Sequence, residues 1–246
     1  ERKSSQIADF QAHGIPFHQA SMTRPKGKRV FMKPDLAWNG AGARLLEPEE
    51  APPDDNVTYV FQDVLQPHPT LLALLPTPHL CTLRLATMWT RGGPVFDRWT
   101  AKLKIGAPGS VTDNGGYGRY GTFFKLDTLG RLKAPHLMIN DDYAVVAHTD
   151  PEYFSRHGID PVGTHVPFFE NAVSTVIDAH RKVHPNRFRV GWDVAVVFDG
   201  IVVMEGNPSG EGSVSSFSWN QSGEVDEHID IWATSMLDYL RFQDGL

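Results

Sequence analysis

The hydrophobic positions of this chain fall mainly into short runs with a period of two, which predicts β-strands. Strands are predicted at 30–34, 59–65, 81–87 and 99–105 and, as a hairpin around Asp199-Gly200, at 190–207. Apolar residues recur instead with a period near 3.6 at 168–183 and 226–242, which predicts two amphipathic helices. In the second helix the residues expected to face inward are Ile229, Ile231, Trp232, Met236, Leu237 and Leu240.

The turn of the hairpin decides whether its polar ends share a face. A two-residue loop at Asp199-Gly200 puts Asp193 and Glu205 on opposite faces, because strand side chains alternate. A three-residue loop that begins at Phe198 sets Asp193 directly across from Glu205, with Asn207 on the same face. The sequence leaves both turns open.

Polar residues at the end of an otherwise buried strand are costly unless they have a partner. Two carboxylates and an amide oxygen on one face suit a hard divalent cation such as Mg²⁺. Asp193, Glu205 and Asn207 are therefore candidate metal ligands. The alternative interpretation is a hairpin whose polar residues simply end a strand.

A lysine and a glycine-rich loop follow the first predicted strand. Lys33 is followed by Asn39-Gly40-Ala41-Gly42-Ala43, and such a loop can cradle phosphates with its backbone N–H groups. No Gly-Lys-Ser/Thr ends the loop, so it is not a P-loop, and a plain β-turn beside a surface lysine is the alternative. Arg84 lies in the strand at 81–87, where an arginine usually has an anionic partner, whether a ligand or a structural salt bridge.

Five segments of the chain occur in a distinctive order: VFMKPDLAWNGAGARLLEP, YVFQDVLQPHP, CTLRLATM, AKLKIGAPGSVTDNGGYG and GWDVAVVFDGIVVMEGN. In this order they resemble the ATP-grasp superfamily, and most closely its sugar-transfer-associated branch, which is related to α-L-glutamate ligases. The resemblance implies an α+β fold in which two subdomains with mainly antiparallel sheets clamp a nucleotide. The lid would occupy residues 1–65, and the C-terminal subdomain with the metal site would occupy 66–246.

The resemblance also implies where ATP binds. Lys33 matches the lysine that contacts the phosphates, and Asn39, Gly40 and Gly42 match the mobile glycine loop. The hinge whose backbone meets adenine corresponds to Gln62, Asp63 and Val64, although relatives often have glutamate where this chain has Asp63.

The same resemblance places the reacting groups. Arg84 matches a phosphate-binding arginine, and Lys104, which shares a strand face with Lys102, stands where relatives place an arginine. Asn114 lies in a segment similar to the Asn-x-x-x-Gly-Gly region of amide-forming relatives. Asp193, Glu205 and Asn207 match the metal-binding set, which usually serves two Mg²⁺ ions.

These matches imply an ATP- and Mg²⁺-dependent carboxylate–amine ligase that forms an amide through an acylphosphate. Its substrates would be a small carboxylate and an amine, such as an amino acid or a sugar-linked compound. The domain that usually precedes the lid is expected to be absent or minimal, which favours the first of two alternatives that stay open. One is an ATP-binding module without ligase activity, and the other is a metal-dependent kinase or phosphohydrolase on the same scaffold.

Composition agrees with a soluble enzyme. The net charge of −6 argues against a general nucleic-acid binder, which normally has a basic surface. No apolar run reaches the ~18 residues of a membrane helix, and no signal peptide is visible. The single Cys81 excludes an internal disulfide, which fits the cytoplasm.

Overall fold

The structure is a computed structural model, and it describes residues 2–18, 20–37, 41–54, 56–74, 80–105, 113, 122–137, 153–208 and 224–243. The strands are β1 (Ala20–Ser21), β2 (Val30–Pro34), β3 (Arg44–Leu46), β4 (Tyr59–Asp63), β5 (Thr82–Thr90), β6 (Gly93–Phe96), β7 (Lys102–Ile105), β8 (Thr122–Leu126), β9 (Leu132–Leu137), β10 (Arg189–Val197) and β11 (Gly200–Asn207). The helices are α1 (Lys3–Ala12), α2 (Pro69–Leu72), α3 (Tyr153–Arg156), α4 (Phe169–Val183) and α5 (Glu224–Gln243), with one 3-10 turn at Arg98–Thr100. These strands form two sheets, and within each sheet the named strands pair antiparallel.

The smaller sheet has the strand order β1-β4-β2-β3. One of its faces carries a small buried core that consists of Val30, Met32, Leu46, Tyr59 and Phe61. Because side chains alternate along a strand, Phe31 and Lys33 of β2 share the opposite face with Val60 and Gln62 of β4. This opposite face therefore presents a lysine and an amide.

The larger sheet has the strand order β11-β10-β5-β7-β8-β9, and β6 pairs with the far end of β5. One face is apolar, and α4 and α1 pack against it. The fully buried side chains of this main core include Phe10, Leu83, Leu85, Leu103, Phe124, Val176, Trp192 and Val194. The alternation that buries these residues turns the intervening positions to the other face, which carries charged side chains.

The predicted helices are confirmed, with changes at their ends and faces. Helix α4 begins at Phe169, because Phe168 has a left-handed backbone with φ 58°. In α5 the expected inward stripe is partly wrong, since Ile231, Leu237 and Leu240 are exposed. Among the described residues, no helix is both long and apolar enough to cross a membrane.

The strand predicted at 99–105 is shorter in the structure. Residues 98–100 form a 3-10 turn whose first residue follows Asp97, and the Asp97 carboxylate accepts a hydrogen bond from the Trp99 N–H at 3.2 Å. This side-chain cap draws the backbone out of the sheet, so β7 begins at Lys102.

Candidate functional site

The β10–β11 hairpin places Asp193 directly opposite Glu205. Val197 pairs with Gly200, so the loop consists of the two residues Phe198 and Asp199. Both loops considered from the sequence are therefore wrong, although the facing pair expected from the longer loop is present. The register must change between the loop and the carboxylates for this to occur.

A β-bulge at Met204 makes that change. Up to Val203, which faces Val194, the hairpin keeps one register, and in that register Asp193 would oppose Met204. The bulge leaves Met204 without a partner and brings Glu205 into the pair. As a result Val203 is buried in the main core, whereas Glu205, two residues later, lies on the opposite face.

Neighbouring strands extend this pair into a row of charges. Across the sheet, Glu205 pairs with Asp193, Asp193 with Arg84, Arg84 with Lys102, and Lys102 with Lys125. Adjacent strands lie ~4.8 Å apart, so the row is acidic at one end and cationic over the next three strands. The electrostatic potential on the polar face of the sheet therefore changes from negative near Glu205 to positive near Lys125.

Asp193 is held by two cations. Its Oδ1 lies 2.8 Å from Lys104 Nζ and 3.3 Å from Arg84 Nε. Burial by itself raises the pKa of Asp193, but Arg84 and Lys104 outweigh burial, and the pKa lies below its ordinary value. Asp193 is therefore ionised at neutral pH and fixes the two cations in place.

Asp113 joins this cluster from outside the named strands. Its carboxylate lies 3.6 Å from Lys104 Nζ. The Thr82 backbone N–H donates to it at 2.8 Å, and the Thr82 hydroxyl donates to the same oxygen. Lys104 thus bridges two buried carboxylates.

Asn207 connects the acidic end of the row to Arg84. With its amide oriented to satisfy both neighbours, the nitrogen donates to Glu205 Oε1 at 3.2 Å and the oxygen accepts from Arg84 Nη1 at 2.9 Å. A half-turn of the amide would instead bring its oxygen beside the Glu205 carboxylate.

The acidic end has a donor set that fits a divalent cation. The described residues include no group of three or more histidine, cysteine, aspartate or glutamate side chains that could hold a metal ion. The candidate set is narrower and depends on an amide oxygen: Glu205 and Asn207 lie next to each other, and Asp193 adjoins them in register. Carboxylate and amide oxygens are hard donors of the kind that Mg²⁺ prefers.

Helix α1 fixes the backbone of Gly206, which lies between Glu205 and Asn207. The Gln6 side chain accepts a hydrogen bond from the Gly206 N–H at 3.0 Å and donates one to the Gly206 carbonyl. The same helix contacts the smaller sheet, because the Lys3 and Ser4 backbone N–H groups donate to Asp35 just after β2. Helix α1 therefore ties both sheets together beside the site.

Lys33 approaches the acidic end from the smaller sheet. Its pKa is lowered, mainly by burial and also by Lys3, while Glu205, Asp193 and Asp113 favour its charged form. Glu205 and Asp193 lie on the polar face of the larger sheet and Asp113 contacts the same cluster, so Lys33 of the smaller sheet lies near this polar face. Lys33 stands over the acidic end of the row.

Sequence reasoning did not single out His18, which is buried beside Gln62. The His18 Nε2 contacts the Gln62 amide, and burial, together with Lys33, lowers the pKa of His18 to about 3. The remaining polar atoms of the pair, His18 Nδ1 and Gln62 Oε1, are buried and make no hydrogen bond within the part of the chain that the structure describes. No periodicity marks His18, because it lies in the connection before β1.

The remaining candidates differ in how far the structure places them. Asp63 is exposed and Val64 is half-buried at the end of β4. Gly42 has a φ of +70°, and a Cβ there would lie 2.8 Å from Pro34 Cγ, so this turn requires glycine. Asn39, Gly40 and Asn114 lie outside the described residues.

Solved structures of two enzymes share this architecture. N5-carboxyaminoimidazole ribonucleotide synthetase from Thermotoga maritima matches with a TM-score of 0.50 at 10% identity, over 95% of this chain and 48% of that chain. D-alanine–D-alanine ligase from Bacillus anthracis matches with a TM-score of 0.50 at 9% identity, over 99% of this chain and 68% of that chain. No protein-family model and no curated protein matches the chain in sequence. The chain spans about half the length of the first enzyme, and with both it shares an α+β fold of the ATP-grasp type.

Proposed function

We propose that this chain catalyses ATP- and Mg²⁺-dependent ligation of a carboxylate to an amine. The observation that carries the proposal is the row from Glu205 through Asp193 and Arg84, with Lys33 above its acidic end. Carboxylates beside cations, with a lysine of the second sheet near them, suit a triphosphate that needs both metal ions and positive side chains. The ATP-grasp fold supports the same function.

ATP would lie between the two sheets. Lys33 and the loop at 39–42 would bind its phosphates, and the backbone of Gln62–Val64 would meet the adenine. The buried His18–Gln62 pair supports this placement, because its unused polar atoms need a partner. Residues 1–65 would then form the lid and 66–246 the body that carries the metal ligands.

Asp193, Glu205 and Asn207 would hold Mg²⁺, in one or two ions, which would neutralise the phosphate oxygens and orient them. The protein itself positions the reactants. Arg84 and Lys104, fixed by Asp193, would stabilise the negative charge that develops on the transferred phosphoryl group.

The reaction would proceed in two displacements. A carboxylate oxygen of the first substrate attacks the γ-phosphorus, the bond from that phosphorus to the β-γ bridging oxygen breaks, and ADP leaves. The amine nitrogen then attacks the acyl carbon, phosphate leaves with the bonding electrons, and the nitrogen loses a proton. Asn114 would face the acyl group, and closure of the lid would exclude water that could hydrolyse the acylphosphate.

The wider context is also proposed from the resemblance alone. The chain would belong to the sugar-transfer-associated branch and act in the cytoplasm. Its substrates would be small molecules, such as an amino acid or a sugar-linked acid.

Calorimetric titration of ATP, with and without Mg²⁺, tests the nucleotide site in the wild type, in Glu205→Gln and in the surface control Glu170→Gln. We expect Mg²⁺-dependent binding that falls at least tenfold in Glu205→Gln, because a metal-binding charge is removed without changing the side-chain volume. Equal Mg²⁺-dependent affinity in wild type and Glu205→Gln would contradict the metal assignment.

Trapping with hydroxylamine tests the acylphosphate. In the ligase, candidate acids with ATP should give hydroxamates together with stoichiometric ADP. Phosphate release without any acid would indicate a phosphohydrolase. ATP binding without turnover would indicate a binding module.

A further inference from the structure

Lys102 is a charged group for which the proposed chemistry has no role. It lies on the polar face of the larger sheet, between Arg84 of β5 and Lys125 of β8 in register. Its Nζ stands 5.2 Å from the centre of the Phe123 ring, and the side chain is half-buried. Among the residues that the structure describes, no carboxylate forms an ion pair with Lys102.

The electrostatic surroundings of Lys102 are cationic. Burial, together with Arg84, Lys104 and Lys125, lowers the pKa of Lys102 to about 8, although Asp193 acts in the opposite direction. Asp193 is already paired with Arg84 and Lys104. A half-buried ammonium group among other cations is costly unless an anion accompanies it.

Lys102 lies on the acceptor side of the site. Lys33, which would hold ATP phosphates, is influenced by Glu205, Asp193 and Asp113, so the triphosphate belongs at the acidic end of the row. Lys102 lies three strands away from Glu205, ~14 Å across the sheet, and one strand beyond Arg84, ~5 Å. A carboxylate that attacks a phosphorus near Arg84 would extend its remaining atoms towards Lys102.

We propose that Lys102, with the adjoining Lys125, binds a second anionic group on the carboxylic acid that the enzyme activates. The acceptor is then a carboxylic acid with another carboxylate or a phosphoryl group a few methylene groups away. This inference rests on the proposed function, because it identifies the acceptor end of the same site. The Phe123 ring attracts the ammonium group through a cation–π interaction and helps to hold it on the polar face of the sheet.

Calorimetry with three length-matched probes tests the subsite in nucleotide-free protein. Glutarate carries two carboxylates, 4-phosphonobutyrate replaces one of them by a phosphonate, and valerate carries a single carboxylate. The wild type should bind at least one of the two doubly anionic probes at least tenfold more tightly than valerate. Whichever of them binds more tightly identifies the second group as a carboxylate or a phosphoryl group.

Three variants separate the subsite from general charge and from folding. Lys102→Met keeps the apolar stem and should reduce the preference, which is the affinity for the tighter doubly anionic probe divided by that for valerate, to nearly one. Lys102→Arg keeps the charge and should retain most of this preference. Lys182→Met removes an equal charge from the exposed pair with Asp178 on α4 and should retain the full preference. Equal binding of all three probes by the wild type, or an unchanged preference in folded Lys102→Met, would overturn the proposal.

A parallel titration of ATP with Mg²⁺ into the wild type keeps the two proposals distinguishable. If the wild type does not bind ATP but still prefers the doubly anionic probes, the nucleotide site is refuted and the anion subsite is supported. ATP binding without any preference for the doubly anionic probes would refute the subsite alone.

Discussion

Gly206 is packed so closely against Trp192 that the substitution Gly206→Ala should disturb the whole acidic end of the site. A Cβ at this position would lie 2.7 Å from Trp192 Cζ3, 3.1 Å from Trp192 Cε3 and 3.2 Å from His184 Nε2. The Trp192 ring is fully buried, and its Nε1 donates to Thr87 Oγ1 at 2.8 Å. The ring therefore cannot move away without breaking a buried hydrogen bond, and the strand must move instead.

The displacement of β11 determines how much stability the substitution costs. Overpacking of a well-packed core costs ~1–3 kcal/mol, and the short contacts to a rigid ring place this substitution near the middle, at about 2 kcal/mol of unfolding free energy. For a chain of this size that corresponds to a melting temperature lower by about 4–8 °C. The two hydrogen bonds between Gln6 and Gly206 would be strained, and the flanking Glu205 and Asn207 would be displaced with the backbone.

Urea unfolding and calorimetric titration of Mg·ATP measure the two consequences. Gly206→Ala should unfold at a lower urea concentration than the wild type and should bind Mg·ATP at least tenfold more weakly. Gly92→Ala is the matched control, because within the described part of the chain a Cβ there would meet Thr90 Oγ1 alone, at 3.9 Å. If Gly206→Ala unfolds within about 0.5 kcal/mol of the wild type, the packing argument is refuted.

Two further predictions concern buried ionisable side chains. Lys104→Met leaves Asp193 without its shorter ion pair and should lower the free energy of unfolding, measured in urea, by about 3–5 kcal/mol. The control Lys182→Met, which breaks an exposed ion pair, should lower it by less than about 1 kcal/mol. Equal losses in the two variants would contradict the role of Lys104. Burial lowers the pKa of His180 to about 4, so His180 is neutral when folded, and the unfolded chain binds its proton first as the pH falls. The free energy of unfolding should therefore decline as the pH falls from 6.5 to 4, and His180 contributes at most about 3 kcal/mol to this decline. His180→Gln should flatten the decline. The same pH profile in the variant and the wild type would contradict the assignment to His180.

The neutral state of His180 also follows from its hydrogen bonds. Its Nε2 lies 2.9 Å from the Arg187 carbonyl, which can only accept, so this nitrogen carries the proton. Its Nδ1 therefore accepts from the Thr87 hydroxyl at 2.7 Å, and Thr87 Oγ1 in turn accepts from Trp192 Nε1. A second proton on His180 would bury a charge and would require the Thr87 hydroxyl to turn its hydrogen away from Nδ1, which is the physical reason for the predicted pH dependence.

The sequence predicts local elements of this fold well, because they depend on near-neighbour patterns. The alternation at 81–87 and the period near 3.6 at 168–183 correspond to β5 and α4. The face of α5 was less predictable: Ile231 lies about 200° round the helix from Ile229, so both cannot face the same layer. Leu240 is exposed although its spacing is suitable, because tertiary packing decides which part of a helix is covered.

The candidate site depends on relations that a single sequence does not contain. Asp193, Glu205 and Arg84 were singled out as residues, but their row exists only because β5 pairs with β10 in one particular register. The position of Lys102 beside Arg84 needs the pairing of β5 with β7, which are separated by β6 and a 3-10 turn. Periodicity within each strand is unaffected by a shift of two residues between strands, so it cannot specify these contacts.

One signal of the site was nevertheless present in the sequence of β11. Ile201, Val203 and Glu205 have the same parity, and a regular strand would therefore turn all three to one face. Burying Glu205 with the two apolar residues would leave an unpaired charge in the main core, which is far more costly than a local break in the ladder. The strand must therefore change face between Val203 and Glu205, and a bulge at Met204 is the shortest way to do so. The conflict between alternation and charge thus identifies where the core ends and the acidic end of the site begins.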